Sequence, residues 1–111
     1  MMKSAAVLML LLAGTSFAAT NVKHGMTIYT TNCAGCHGAK AQGGVGPSLH
    51  EAAGWKFALF QRAMLKDVDD KGVPLKAPMP NWGKVGFAGD HGKAPTKAEI
   101  TDLQAYLKTL K

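Results

Sequence analysis

Both cysteines of the chain lie in one five-residue segment, Cys33-Ala34-Gly35-Cys36-His37. This is the C-x-x-C-H pattern of a c-type haem attachment site, in which each thiol forms a thioether bond to the porphyrin. The histidine that follows supplies an axial imidazole to the iron. A C-x-x-C pair alone also occurs in dithiol redox sites and in zinc sites. Because His37 follows directly, we predict one haem c, covalently held by Cys33 and Cys36, with His37 as an iron ligand.

The second axial ligand must come from elsewhere in the chain. Met79 lies between Pro78 and Pro80, and these prolines preclude a helix and stiffen the loop. A lone methionine in such a loop has no periodic reason to be buried, so we predict that Met79 is the sixth ligand. Met64 lies on an apolar helical stripe, where packing explains it. The alternatives that stay open are Met26, Met64, His24, His50 and His91.

The N-terminal residues 1–18 have the organisation of a secretory signal peptide. Lys3 precedes an apolar run over residues 5–13, and small residues stand at Ser16 and Ala18. The run is shorter than the roughly 20 apolar residues that a membrane span needs. We therefore predict cleavage after Ala18, export to the periplasm and no integral membrane span in the mature protein. An uncleaved N-terminal anchor is the alternative.

The remaining residues, 19–111, are enough for one small domain and leave no room for a second core. Small domains often depend on a disulfide, a metal or a cofactor for stability. No disulfide is available once both thiols hold the porphyrin, so the haem itself would form the centre of the core.

The chain is basic, with 13 Lys and Arg residues against 7 Asp and Glu residues and a net charge of +6. The lysines are scattered and no arginine-rich stripe appears, which argues against nucleic-acid binding. A lysine-rich surface around a redox centre instead favours docking to acidic redox proteins. No catalytic triad, phosphate-binding loop or paired-carboxylate site is present. We expect a monomer.

Three helices separated by glycine- and proline-rich loops are predicted. The first covers residues 22–33 after Asn21 as N-cap, and Gly25 within it permits close approach of another backbone. The middle helix is predicted over residues 53–67 from a stripe of apolar residues. The last begins at Thr96, which forms a capping box with Glu99. Strand-like alternation never persists, so the predicted fold is all-α.

These features together resemble a bacterial class I cytochrome c. The matching segments are Cys33-Ala34-Gly35-Cys36-His37, Gly46-Pro47-Ser48-Leu49, Pro78-Met79-Pro80, and the final helix with Leu103 and Tyr106. The resemblance covers the whole of residues 19–111. It implies a small fold of three to five short helices around one haem, in which the first and last helices cross.

The same resemblance implies roles for individual residues. The Pro47 carbonyl would accept a hydrogen bond from the His37 ring, and Leu49 would line the haem pocket. Trp82 would lie near a haem propionate, although packing alone explains it equally well. The implied function is a one-electron carrier between periplasmic redox partners, and not an enzyme. An electron-transfer subunit of a dehydrogenase or reductase complex is the main alternative; a haem enzyme and a haem-free thiol or zinc protein are more remote.

One segment departs from the shorter members of this family. Residues 83–95, which we call the insert, lie between the methionine loop and the last helix and contain four glycines. From sequence, this insert covers the haem edge, contacts a partner or is an inert loop, and these alternatives stay open.

Overall fold

A computed structural model describes residues 19–110 of the chain, so the predicted signal peptide lies outside the described range. Within that range the chain forms five α-helices and one short 3-10 helix, and the only extended pairing is an isolated bridge between Val68 and Pro74. The helices are α1 (Val22–Asn32), α2 (Ala34–His37), the 3-10 helix (Ala52–Gly54), α3 (Phe57–Lys66), α4 (Trp82–Val85) and α5 (Lys97–Lys108). The all-α prediction is therefore confirmed. None of the helices described is long and apolar enough to cross a lipid bilayer.

Helices α1 and α5 cross in direct backbone contact. A Cβ atom added at Gly25 would overlap the carbonyl oxygen of Asp102. One turn further along α1, the rings of Tyr29 and Tyr106 pack with centroids 5.7 Å apart. The close approach predicted for Gly25 is thus present, because only a residue without a side chain fits at the crossing.

Polar contacts at the start of α1 fix the same crossing. The Asn21 side chain caps α1 by accepting a hydrogen bond from the His24 backbone N–H at 2.9 Å. The buried carboxylate of Asp102 on α5 accepts from the Asn21 backbone N–H at 2.8 Å and from His24 Nδ1 at 2.9 Å. The start of α5 carries the predicted capping box, in which Thr96 and Glu99 each accept from the other's backbone N–H. Both caps are therefore confirmed.

The middle helix begins later than predicted. Residues Ala52–Gly54 form the 3-10 helix, Trp55 is extended at ψ 154°, and α3 starts only at Phe57. The carbonyl of Trp55 accepts a hydrogen bond from Gln104 Nε2 on α5 at 2.9 Å, which holds the chain out of a continuous helix. The prediction of one helix over residues 53–67 was wrong at its start for this tertiary reason. At its other end, α3 stops at Lys66 because Asp67 is left-handed, with φ 59°.

The largest fully buried side chains come from α1, α3 and α5, and they are Tyr29, Phe60, Ile100, Leu103 and Leu107. Cys33 belongs to the same hydrophobic cluster, and Leu49 and Met79 pack against it partly buried. One core therefore joins the helices to the three segments that carry predicted site residues.

Candidate functional site

The two cysteines stand on one turn of chain at the end of α1. Cys33 terminates α1, and its carbonyl accepts hydrogen bonds from the backbone N–H groups of Cys36 at 3.2 Å and His37 at 3.0 Å. Cys33 is buried, Cys36 is exposed, and both thiols are free. Residues three apart on a helical turn lie on the same side. Both sulfur atoms are thus available to one ligand that rests against this turn.

The imidazole of His37 is buried and has a defined tautomer. Its Nδ1 lies 2.7 Å from the carbonyl oxygen of Pro47. A carbonyl oxygen only accepts, so Nδ1 carries the hydrogen and donates it. Nε2 is then the ring nitrogen available to a metal ion, and the hydrogen bond at Nδ1 fixes the ring orientation. The contact that the resemblance implied between His37 and Pro47 is present.

A glycine makes room for this ring. A Cβ atom on Gly46 would lie 2.9 Å from Cε1 and 3.1 Å from Nδ1 of His37. The loop is pinned to the cysteine turn, because Gly46 N–H donates to the Cys36 carbonyl at 2.8 Å and Gly43 N–H to the His37 carbonyl at 2.7 Å. The segment Gly46-Pro47 therefore cradles the imidazole with backbone atoms on two sides. The resemblance included Gly46, but the sequence alone did not reveal this contact.

The environment of Cys33 differs from that of a reactive thiol. Burial raises the pKa of the Cys33 thiol to about 12, and the neighbouring Cys36 adds to the shift. Catalytic and metal-binding thiols instead have a lowered pKa, which favours the nucleophilic thiolate. At neutral pH the Cys33 thiol therefore stays protonated.

Met79 lies in the proline-flanked loop ahead of α4, partly buried against the core. The backbone N–H of Met79 donates to the Lys76 carbonyl at 3.1 Å, which closes a turn before it. Of the other methionines, Met64 is 7% exposed within the core, whereas Met26 is 42% exposed on α1.

The three histidines considered as alternatives have surroundings of their own. His24 is held by Asp102, as described above, and His50 Nε2 contacts the carbonyl of Lys40 at 3.0 Å. His91 is exposed, in a loop of the insert. Of the four histidines, only His37 is buried.

Two indole groups in the described part of the chain have a buried N–H without a partner. They are Nε1 of Trp55, just before α3, and Nε1 of Trp82, at the start of α4. Buried donors are nearly always satisfied in folded proteins, so a pair of them calls for an acceptor that the polypeptide does not supply. Trp82 was singled out from sequence, whereas Trp55 was missed because nothing in its local sequence marks it.

Among residues 19–110, no three His, Cys, Asp or Glu side chains converge to hold a metal ion. His37 and the two cysteines stand on one turn beside the hydrophobic core, and the same domain holds the two indole N–H groups without a partner. A covalently held porphyrin fits this set, because it uses the thiols, occupies apolar surroundings, and carries carboxylates that accept hydrogen bonds.

The comparisons agree with this geometry. The family model for cytochrome c matches residues 22–111. A protein of Synechocystis sp. described as cytochrome c-553-like is 35% identical over 87 residues, covering 78% of this chain and 66% of the relative. The chain therefore spans just under two-thirds of that relative's length. No solved structure matches the chain significantly.

A small all-α domain with a C-x-x-C-H turn at the end of its first helix defines the class I type of c-type cytochrome. This chain belongs to the cytochrome c family. Membership in it implies a covalently bound haem c, and Cys33, Cys36 and His37 stand in the pattern that such a haem requires.

Proposed function

We propose that this protein is a one-electron carrier whose haem c is attached through Cys33 and Cys36 and ligated by His37 and Met79. The observation that carries the proposal is the buried His37 ring, fixed as the Nδ1–H tautomer beside two free thiols. When bound, the haem supplies reversible one-electron chemistry, and the protein supplies its position and electrostatic surroundings.

The chain's residues would divide this work among them. His37 would present Nε2 to the iron, and the Pro47 carbonyl would keep the ring oriented. Met79 would provide a thioether sulfur, a ligand that raises the reduction potential. Leu49 would contribute apolar surface to the pocket. If His37 and Met79 both ligated the iron, no coordination position would remain for a substrate, which would favour a carrier over an enzyme.

The buried indole N–H groups would serve the haem carboxylates. Trp55 and Trp82 each supply a donor that lacks an acceptor in the polypeptide. A hydrogen bond from a buried donor to a charged oxygen contributes about 1.5–3 kcal/mol. We therefore propose that these two residues bind the haem propionates.

We further propose that the signal peptide is cleaved after Ala18 and that residues 19–111 work in the periplasm as a monomer. There the protein would pass electrons between redox proteins of a respiratory or related chain. The lysines, all exposed between residues 19 and 110, would assist docking to acidic partner surfaces.

Two measurements on the holoprotein test this proposal. A covalent haem stays with the polypeptide through acid–acetone extraction, and Cys33→Ala together with Cys36→Ala should release it. Ferric haem with a methionine ligand shows a weak far-red charge-transfer band, which Met79→Ala should abolish. The matched control is Met64→Leu, which alters a core methionine and should retain the band.

Contrary results have clear meanings. A band that survives in Met79→Ala and disappears in Met64→Leu would reassign the ligand to Met64. Pigment extracted cleanly from the wild-type protein, or rapid cyanide binding by it, would reject the carrier. Co-purification with a larger dehydrogenase or reductase would support the subunit alternative over a free carrier.

A further inference from the structure

The insert, residues 83–95, follows the methionine loop in the sequence and forms a hydrogen bond that reaches the haem attachment turn. We propose that it acts as a brace that holds the Met79 loop in position relative to Cys33, with Asn32 and Phe87 as positioning residues. This inference rests on the proposed ligation by Met79. It assigns a role to the segment for which the sequence left three alternatives open.

The first end of the brace is anchored close to Met79. Trp82, three residues after Met79, is 9% exposed and begins α4. A Cβ atom on Gly83 would overlap the carbonyl oxygen of Leu65, so α4 lies directly against the end of α3. Phe87 is 2% exposed and packs against Trp82 with ring centroids 5.2 Å apart. Phe87 of the insert therefore packs back onto Trp82, which begins α4 and stands three positions after Met79 in the sequence.

The insert folds back on itself through backbone contacts. Gly86 has φ 76°, and a Cβ atom there would overlap the carbonyl oxygen of Lys93. Two turns follow inside it, because Asp90 N–H donates to Phe87 and Lys93 N–H to Asp90, each at 3.0 Å. The part of the insert after α4 thus returns close to its own start, where Gly86 and Lys93 lie against each other. It is a compact unit.

The other end of the brace reaches the haem attachment turn. The backbone N–H of Ala88 donates to Asn32 Oδ1 at 2.9 Å, across 56 residues of sequence. The same amide side chain donates from Nδ2 to the Ile28 carbonyl at 3.0 Å, which fixes its orientation. Asn32 is the residue directly before Cys33. One side chain therefore ties the insert to the start of the C-x-x-C-H turn.

These contacts have a specific consequence for the iron. A thioether is a weak ligand, so its bond depends on supporting residues that keep the sulfur in place. Met79 precedes Trp82 by three residues of chain, and the contacts Trp82–Phe87 and Ala88–Asn32 link that part of the chain to the attachment turn. Loosening it should let Met79 leave the iron more often, while the covalent haem and the helical core stay intact.

The test uses the holoprotein with three substitutions on α1. Asn32→Leu removes both hydrogen bonds, and Asn32→Asp retains the acceptor for Ala88 N–H but loses the donor to Ile28. Thr30→Leu, at an exposed position of the same helix, is the matched control. The readouts are the rate at which imidazole displaces the far-red band, hydrogen exchange of the Ala88 amide, and global unfolding followed by circular dichroism.

We expect Asn32→Leu to accelerate imidazole entry by about tenfold, the change that corresponds to loss of the hydrogen bond between Ala88 and Asn32 at an ordinary net strength. The Ala88 amide should exchange faster in the same variant. Asn32→Asp should restore both values towards wild type, and Thr30→Leu should leave them unchanged. Phe87→Leu, which keeps apolar volume but loses the ring contact with Trp82, should act like Asn32→Leu and gives a second test if Asn32→Leu does not mature.

An unchanged rate in both Asn32→Leu and Phe87→Leu would overturn the brace. So would acceleration fully accounted for by an equal loss of global stability, because that is the signature of a merely structural contact. If the wild-type band is absent, or survives in Met79→Ala, the ligation proposal itself fails. The two failures are therefore distinguishable.

Discussion

The imidazole of His37 is positioned by backbone atoms. The Pro47 carbonyl receives the Nδ1 hydrogen, and the bare Cα of Gly46 lies against the ring. The loop contributes only backbone atoms to both contacts, so the position of the ring depends on the path of the loop. Because Gly43 and Gly46 donate to carbonyls of the cysteine turn, the loop and the turn are fixed together. A single added methyl group is therefore a sensitive probe of this arrangement.

Gly46→Ala should destabilise the holoprotein by about 1–3 kcal/mol, the usual cost of inserting a methyl group where there is no space. The Cβ would lie 2.9 Å from His37 Cε1 and push the ring away from Pro47. Chemical denaturation followed at the Soret band measures the effect. The control is Gly35→Ala in the cysteine turn, where a Cβ meets nothing within 4 Å and stability should not fall. Equal effects of the two substitutions would contradict the cradle.

The buried hydroxyl group of Tyr29 should make the free energy of unfolding depend on pH in the alkaline range. Burial, more than nearby charge, raises the pKa of this phenol above its ordinary value of 10.0, and its hydroxyl donates to the Gly38 carbonyl. Below pH 10 both folded and unfolded states hold the proton, and the contribution to stability is complete. As pH rises through the folded pKa, the unfolded chain loses the proton first, so the free energy of unfolding falls.

Tyr29→Phe should therefore show a shallower decline in unfolding free energy above about pH 10 than the wild-type protein. Denaturation of the ferrous form measures this, because the proposed methionine ligation would favour ferrous iron and limit ligand exchange. Tyr106→Phe should change the slope less than Tyr29→Phe, because Tyr106 makes only a minor contribution to the raised pKa of Tyr29. Parallel curves for wild type and Tyr29→Phe would contradict the assignment.

At the level of whole elements, the crossing of α1 and α5 sets two effects of glycine against each other. In an isolated helix, replacing Gly25 with alanine would gain about 1 kcal/mol of helix propensity. In the folded protein the new Cβ would overlap the Asp102 carbonyl, and a backbone group cannot move aside alone. The overlap should dominate, because it separates two helices along their contact.

We expect Gly25→Ala to lower the unfolding midpoint of the holoprotein despite its gain in propensity. The overlap should cost more than about 3 kcal/mol, the upper end for overpacked interiors, because it involves backbone atoms. A net loss therefore remains after the gain of about 1 kcal/mol in helix propensity. Thermal denaturation followed by circular dichroism measures it. Thr30→Ala on the exposed side of α1 serves as the control for propensity and should not destabilise. A stabilised Gly25→Ala variant would show that the crossing is looser than described.

The sequence correctly predicted the helix starts and the helix crossing that depend on residues at those positions. Asn21 and Thr96 marked both capped helix starts, and Gly25 marked the crossing, because these residues act within a few positions of themselves. The start of α3 was not predictable, since Trp55 is held extended by Gln104, 49 residues away. The placement of the insert depended likewise on Asn32 and its distant partner Ala88, and no periodic pattern encodes such a pair.

The charged residues of the whole molecule are unevenly exposed. All ten lysines between residues 19 and 110 are exposed, whereas six of the seven acidic residues are partly or fully buried. Several of these acids serve the fold: Asp102 holds the start of α1, Asp69 accepts two backbone N–H groups in a turn, and Glu99 caps α5. The potential felt by an approaching molecule is therefore more positive than the net charge of +6 alone suggests.

Electron exchange with small reagents should reveal this field. Oxidation by anionic ferricyanide should slow as ionic strength rises from about 0.01 to 0.15 M, because the Debye length shortens from about 30 to 8 Å. Oxidation by a cationic cobalt complex should accelerate over the same range, since screening relieves repulsion. Stopped-flow absorbance at the haem bands measures both rates.

Replacing Lys84 and Lys93 of the insert with glutamine should make both rates less dependent on ionic strength if the insert borders the electron-exchange surface. Lys23→Gln with Lys108→Gln removes the same charge from α1 and α5 and separates a local effect from one of net charge. Rates independent of salt for both reagents would show that the exposed lysines do not steer encounter.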